Sequence, residues 1–211
     1  MSKLIIYLDL LGPLLALPFY LSGYKRKGGG HLLLLFFLLI QLLANGWAKI
    51  LWQMHTKNNI FVYQLNALFS CIVVTIYIFL ELKKICSPKF TFMLAAYAVS
   101  SIIILLIMIL LEDTSFFNGL SYTFTGFTIC VFCVIFYLRS LANLDEENLI
   151  KTCRFWAVSA FIIYYSISFF IFMYYKIFTK LSMENFQVLW GIHNFVLFLS
   201  CFLLIIASKH R

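Results

Sequence analysis

Two stretches decide the fold of this chain: LLLLFFLLI at residues 32–40 and IIILLIMILL at residues 102–111. Neither contains a polar residue, and neither alternates apolar with polar positions as a half-exposed strand does. Each lies inside a longer, largely apolar run, at residues 31–54 and 90–111. Such runs reach the length of about 20 residues that a helix needs to cross a bilayer. Because only helices and closed barrels satisfy their backbone hydrogen bonds in lipid, the pattern predicts membrane-spanning helices.

The composition extends this pattern to the whole chain. Of its 211 residues, 64% are hydrophobic and 11% are charged, whereas soluble domains carry about 25% charged residues. A chain this short cannot bury so much apolar surface in a globular core, so lipid has to cover it. Seven spans are predicted, at residues 4–24, 31–54, 60–82, 90–111, 119–142, 152–175 and 185–207. We therefore predict an all-α polytopic membrane protein, a seven-transmembrane-helix bundle that forms one domain over residues 1–211.

The first span combines signal-peptide features with features that argue against cleavage. Lys3 and the apolar stretch after it fit a signal peptide, but Asp9, Pro13 and Pro18 interrupt that stretch. No small-residue cleavage site precedes the basic cluster at residues 25–27. We expect a retained helix that is kinked by its prolines.

Basic residues alternate between the two sides of the predicted bundle. Loops one, three and five and the C-terminus together hold eleven of them: Lys25, Arg26, Lys27, Lys83, Lys84, Lys89, Arg139, Lys151, Arg154, Lys209 and Arg211. The opposite side holds four, Lys3, Lys57, Lys176 and Lys180, while Lys49 lies within a span. The positive-inside rule then predicts an N-terminus outside and a cytoplasmic C-terminus. We expect the protein to be a multi-pass protein of the cytoplasmic membrane. The formal net charge of +8 is explained as a determinant of topology, so we expect no nucleic-acid partner.

Polar residues within the spans gather toward the predicted outer side, whereas inner stretches such as 32–40 are apolar. The candidate ligand-binding residues are Asn45, Lys49, Gln53, Gln64, Gln187, Trp190, His193 and Asn194. Polar groups in a membrane usually face the bundle, a water-filled cavity or a partner. We predict a pocket for an unidentified small molecule that lies between helices 2, 3 and 7 and opens outward.

Each of these candidates also has a purely structural interpretation. Asp9 and Lys49 lie at similar depth on adjacent helices, so they can form an ion pair that only fixes helix packing, or Lys49 can reach the surface by its long stem. His193 can be a packed, hydrogen-bonded side chain, and Trp190 can belong to the interfacial aromatic belt. The buried amides can act as contacts between helices.

The sequence shows no signature of an enzyme. It contains no G-x-S-x-G, no H-E-x-x-H and no glycine-rich phosphate loop followed by Lys and Ser or Thr. Cys130 and Cys133 have metal-like spacing, but no second pair or nearby histidine completes four ligands. We expect no enzymatic activity, no metal and no cofactor.

The last two spans carry a resemblance. The motifs are Phe155-Trp156, IIYYS at residues 162–166, FFIF at 169–172 and LWGIHN at 189–194. In these, mainly in helices 6 and 7, the chain resembles poorly characterised bacterial seven-helix membrane proteins, some of which are similar to the membrane sensor heads of histidine kinases. The resemblance implies sensing across the membrane.

Our functional prediction follows from the pocket and this resemblance. The chain ends at Arg211, directly after helix 7, so we expect it to signal through a separate cytoplasmic or membrane partner. The prediction is a sensor or receptor-like protein in the lipid bilayer. A small-solute transporter or permease subunit is the main alternative, and a membrane-embedded enzyme is the third.

Overall fold

The computed structural model describes residues 5–27, 29–54, 60–111, 119–142, 149–175, 177 and 183–210. The helices in this part of the chain are α1 (Leu8–Lys27), α2 (Gly29–Gln53), α3 (Ile60–Lys83), α4 (Pro88–Leu111), α5 (Leu120–Ala142), α6 (Cys153–Met173) and α7 (Met183–Lys209). Short 3-10 turns cover Ile5–Tyr7 and Leu149–Lys151, and the described residues form no strand. Six helices, α2 to α7, are long and apolar enough to cross a membrane. This confirms an all-helical, multi-pass membrane protein; the apolar part of α1, Leu8–Ser22, is shorter.

The helix ends follow local sequence signals. The helix α4 begins at Pro88, because the fixed φ of proline suits the first helical turn and its missing N–H would have no partner there. At α6, the Thr152 side chain accepts a hydrogen bond from the Phe155 backbone N–H at 3.3 Å and caps the helix. The chain remains helical through Pro13 and Pro18. Observed ends differ from the predicted spans by at most four residues, at the start of α1.

The helices form a closed ring of six with the seventh outside it. Around the ring, α1 packs on α2, α2 on α3, α3 on α5, α5 on α6, α6 on α7, and α7 on α1. The helix α4 contacts α3 and α5 from the outside, and its only buried residues are Leu94, Ser101 and Leu105. The predicted bundle contained all seven helices, whereas α4 lies outside the ring. A helix that is apolar all round can instead be solvated by lipid, so it needs no place in the core.

Aromatic side chains fill the centre of the ring. Phe161 of α6 meets Phe37 of α2 and Tyr77 of α3 edge to face, with ring centroids 5.2 and 5.9 Å apart.

Two glycines allow close contact between neighbouring helices. A Cβ at Gly12 would lie 3.0 Å from the Cα of Phe198, and one at Gly126 would lie 3.0 Å from the Tyr165 carbonyl oxygen. These contacts join α1 to α7 and α5 to α6.

The bundle has two ends, which we call the Asp9 end and the His31 end. The Asp9 end is where α1, α3, α5 and α7 begin and where α2, α4 and α6 finish. The His31 end is the opposite one. Lys57, Lys176 and Lys180, the loop lysines counted on the predicted outer side, lie outside the described residues, as does Lys3.

A candidate ligand-binding site at the Asp9 end

A buried ion pair links α1 to α2 at the Asp9 end. Lys49 donates through Nζ to the carboxylate Oδ1 of Asp9. The Asp9 side chain is 6% exposed and that of Lys49 is 16% exposed. The Lys49 ammonium also lies 5.1 Å from the centroid of the Tyr7 ring, in cation–π contact. Two helices are therefore joined by a charge pair that is largely withdrawn from solvent.

The N-terminal turn packs against this pair and against α7. Asn194 of α7 donates through Nδ2 to the backbone carbonyl of Ile5 at 3.4 Å. The turn Ile5–Tyr7 contacts α7, and Tyr7 at its end meets Lys49. The turn thus connects the ion pair to the helix that carries His193.

His193 is held in one orientation by two hydroxyl groups and four aromatic rings. Its Nδ1 lies 3.1 Å from the Ser168 Oγ, and its Nε2 lies 3.4 Å from the Tyr164 hydroxyl. The ring centroids of Phe172, Tyr164, Trp190 and Tyr122 are 5.0, 5.3, 5.7 and 6.2 Å from that of the histidine. The histidine is buried, so its polar atoms meet protein groups rather than lipid.

The rings around His193 extend to α3. Trp190 meets Tyr63 edge to face with centroids 5.2 Å apart, and it meets Phe172 at 6.0 Å. Both Trp190 and Tyr63 are half-buried. We call the following set the aromatic cluster: Tyr63, Tyr122, Tyr164, Phe172 and Trp190.

The ion pair and the aromatic cluster occupy one region of the ring. The N-terminal turn joins them, because Tyr7 contacts Lys49 and Ile5 accepts a hydrogen bond from Asn194, the residue after His193. A buried charge and several ring faces are brought together there.

A network of amides and hydroxyls lies deeper between α2, α3 and α5. Gln41 donates through Nε2 to the Ser70 Oγ at 2.8 Å and to the Asn66 Oδ1 at 3.2 Å. Asn66 in turn donates through Nδ2 to the Tyr122 hydroxyl at 2.9 Å. Tyr122 belongs to both this network and the aromatic cluster. Gln41, Asn66 and Tyr122 are polar residues within the predicted spans, but the predicted ligand-binding set does not include them.

The predicted site residues fall into three groups. Asn45, Gln64, His193 and Asn194 are buried, Lys49 and Trp190 are half-buried, and Gln53 and Gln187 are exposed. The structure brings Lys49 to Asp9 and Trp190 to His193. It leaves Gln53 and Gln187 at helix ends, outside the buried polar region. The buried region draws on α1, α5 and α6 as well as the predicted helices 2, 3 and 7.

The His31 end contains a second, smaller group of buried polar residues. The sequence pattern predicted apolar packing in this half of the bundle. Tyr20 donates its hydroxyl to the Leu204 carbonyl at 2.8 Å and stacks on His31, with ring centroids 4.4 Å apart. The His31 Nε2 lies 3.1 Å from the Tyr20 carbonyl oxygen; because a carbonyl only accepts, the nitrogen donates. Glu81 is also buried at this end. The expectation failed because these residues lie near span ends, where polar groups usually face water.

No group of three or more His, Cys, Asp or Glu side chains in the described ranges is arranged to hold a metal ion. The described cysteines are all free thiols. The groups that the structure places at the Asp9 end are a carboxylate, an ammonium, an imidazole and aromatic rings.

Comparisons with protein-family models, with curated proteins and with solved structures each return no match.

Proposed function

We propose that this membrane protein is a sensor or receptor-like protein that binds a small molecule at the Asp9 end and signals through a separate partner. The observation that supports it best is the convergence of six helices on one buried region. One side chain from each ring helix takes part: Asp9, Lys49, Tyr63, Tyr122, Tyr164 and His193. A ligand that changes these contacts acts on every helix of the ring at once, as a sensor requires.

The proposal includes an orientation. The eleven-to-four bias of Lys and Arg supports seven crossings, with α1 among them, an N-terminus outside and the C-terminus in the cytoplasm. The site then opens outward, and the partner meets the His31 end. Exposed basic side chains at that end include Lys83, Lys84, Arg139, Lys151 and Lys209, which favours an acidic surface on the partner.

Cysteine labelling tests the orientation. The loop residue Cys86, at the His31 end, is half-buried, and its burial raises the pKa of its thiol while Arg139 opposes that shift. Thiolate is the reactive form, so labelling at Cys86 should accelerate as the pH rises from 7 to 8. With Cys130 and Cys153 replaced by Ala, a membrane-impermeant maleimide should label Cys86 in inside-out vesicles and not in intact cells. With Cys86 also replaced by Ala, a Gln187→Cys variant, whose new thiol lies in the exposed first part of α7, should show the reverse. Labelling of Cys86 in intact cells would overturn the orientation.

One observation favours the transporter alternative. Buried polar side chains run along α3 from one end to the other: Gln64, Asn66, Ser70, Thr75, Tyr77 and Glu81. Polar residues through the full thickness of a membrane are typical of solute and ion pathways. Apolar Val74, Ile78 and Leu82 pack beside the inner part of this stripe, which supports a closed inner half and hence the sensor.

Binding and flux measured on the same protein separate the two. Small solutes that raise the thermal stability of the purified protein are first selected, and the effect should be lost in Trp190→Ala and kept in Trp52→Ala, an exposed tryptophan of α2. The protein is then reconstituted in liposomes and uptake of the selected solute is measured. A sensor binds the solute without uptake above protein-free liposomes. Uptake that Trp190→Ala abolishes would instead establish transport.

A further inference from the structure

We infer that the ligand recognised at the Asp9 end is a small organic cation, whose ammonium group replaces that of Lys49 on the Asp9 carboxylate. The inference rests on the proposed function, since it names the ligand class of the same site. It starts from the fact that the site already binds an ammonium group, the one that Lys49 supplies.

The resident ammonium makes the two interactions that an organic cation uses. One is a charge-assisted hydrogen bond to the Asp9 carboxylate. The other is contact with the face of the Tyr7 ring, 5.1 Å from Nζ. A carboxylate beside a ring face suits an ammonium that carries apolar substituents.

Other ligand classes fit these groups less well. A Ca²⁺ or Mg²⁺ ion takes about six or more oxygen ligands, whereas the ion pair contributes one carboxylate. An anion bound at Lys49 would lie beside the Asp9 carboxylate and the negative faces of aromatic rings. A neutral solute would leave the ion pair as it is. An organic ammonium alone matches both the charge of Asp9 and the rings.

The Lys49 ammonium can move away from the ion pair, whereas the Asp9 carboxylate cannot. Lys49 lies one helical turn before α2 ends at Gln53, and its neighbours Trp52 and Gln53 are exposed. Its four-carbon stem can therefore carry the ammonium to the membrane surface. Asp9 has a short side chain that is 6% exposed. The exchange leaves Asp9 paired with the ligand and Lys49 in water, so neither state contains an unpaired buried charge.

The exchange also changes the helix ring. Before binding, the ion pair joins α1 to α2 across 40 residues of sequence. After it, the ligand lies on Asp9, and the direct link between these two helices is gone. Tyr7, which contacts Lys49, belongs to the turn that α7 holds through Asn194. Binding is thereby transmitted to α2 and α7, the two neighbours of α1.

The test measures binding of butylammonium chloride to the purified protein in detergent, by its effect on thermal unfolding. Butanol and sodium chloride at equal concentrations are the controls for the alkyl chain and for ionic strength. We expect butylammonium alone to raise Tm. Lys49→Met removes the tethered competitor; if Lys49 leaves the carboxylate free about a tenth of the time, affinity should rise about tenfold in this variant. Lys84→Met, at the other end, should bind as the unmodified protein does.

The variant Asp9→Asn/Lys49→Met completes the test, because it removes the carboxylate in the background in which Lys49 no longer competes for it. It should not respond to butylammonium. An equal response of this variant and Lys49→Met, or no response of Lys49→Met to butylammonium, would overturn the cation class. That result leaves the sensor proposal standing for other ligands. Uptake of butylammonium into liposomes that depends on Asp9 would support the cation class and overturn the sensor.

Discussion

The two ion pairs of this protein have the same chemistry and different surroundings. Asp9 and Lys49 are 40 residues apart, join two helices and are 6% and 16% exposed in their side chains. Glu81 and Lys84 are three residues apart at the end of α3, where Lys84 is 61% exposed and donates to both carboxylate oxygens at 2.7 and 2.8 Å. One pair is a tertiary contact between two helices with both partners withdrawn from solvent. The other is local, and its Glu81 side chain is 11% exposed while its cation faces solvent.

This difference teaches that the effect of an ion pair on stability depends on what remains when one partner is removed. In the Glu81–Lys84 pair, the ammonium is 61% exposed and is already solvated by water. In the Asp9–Lys49 pair, removal of Lys49 leaves the Asp9 carboxylate, 6% exposed, where solvation is poor. We therefore expect the Asp9 end to be more sensitive to substitution than the His31 end, and the ligand proposed above would act on this pair.

The largest predicted effect is the loss of one partner of the buried pair. Lys49→Met alone should lower the free energy of unfolding by about 3–5 kcal/mol, because it leaves the short Asp9 side chain as an uncompensated buried charge. Asp9→Asn should cost less, because the Lys49 stem can carry its ammonium to water. The double variant should recover most of the loss. Denaturant titration of the four proteins in mixed micelles gives the coupling free energy. Additive effects of the two single substitutions would show that these side chains do not interact in the membrane.

A smaller effect is expected at Gly12, which lies one turn after Asp9 and lets α1 approach α7. In Gly12→Ala the new Cβ would meet the Cα of Phe198 at 3.0 Å and the Sγ of Cys201 at 3.2 Å. Because a backbone atom cannot move aside, the loss should be about 1–3 kcal/mol. Gly46→Ala on α2 is the matched control. Its nearest atom, the Cδ2 of Leu10, is 3.8 Å away, so a better helix former should be neutral or gain up to about 1 kcal/mol. Equal losses of stability in both variants would contradict the close approach of Gly12 in α1 to Phe198 in α7.

Much of the fold was predictable because lipid imposes a length and a composition on each crossing. The seven helices, their ends to within four residues and the proximity of Asp9 and Lys49 all follow from where apolar runs are interrupted. The position of α4 was not predictable. A helix with apolar residues on every face has no polar face that would indicate which side is buried. Its place outside the ring therefore depends on how the other helices pack.

The aromatic partners of the site were hidden for a related reason. Tyr63 and Tyr122 lie near span ends, where an aromatic residue belongs equally well to the interfacial belt. Only the folded ring shows that they meet Trp190 and His193. Tyr20 and His31 escaped notice in the same way, since their contact depends on how α1 and α2 meet.

At the His31 end, one buried hydrogen bond can be removed cleanly. Tyr20→Phe deletes the hydroxyl that donates to the Leu204 carbonyl and keeps the ring that stacks on His31. We expect the free energy of unfolding to fall by about 1 kcal/mol, as for a typical buried hydrogen bond. The control is Tyr97→Phe on α4; Tyr97 is half-buried, and no hydroxyl hydrogen bond is seen for it within the described residues. A loss above that of Gly12→Ala would show that the His31 end contributes more than its contacts indicate.

The smallest effect is expected for the Glu81–Lys84 pair, and it tests the comparison most directly. Lys84→Met removes a cation that is 61% exposed and leaves the Glu81 side chain, which is 11% exposed, without that partner at the end of α3. Because solvent screens the cation, the loss should be about 1 kcal/mol or less, at the upper end of the range for exposed pairs. Glu81→Gln should be similarly mild, because a carboxylate near the C-terminus of a helix opposes the helix dipole and its neutralisation offsets part of the lost contact. Both are measured in the same micelles as Lys49→Met. If Lys84→Met cost as much as Lys49→Met, burial would not be what distinguishes the two ends, and the special role given to Asp9 would lose its physical basis.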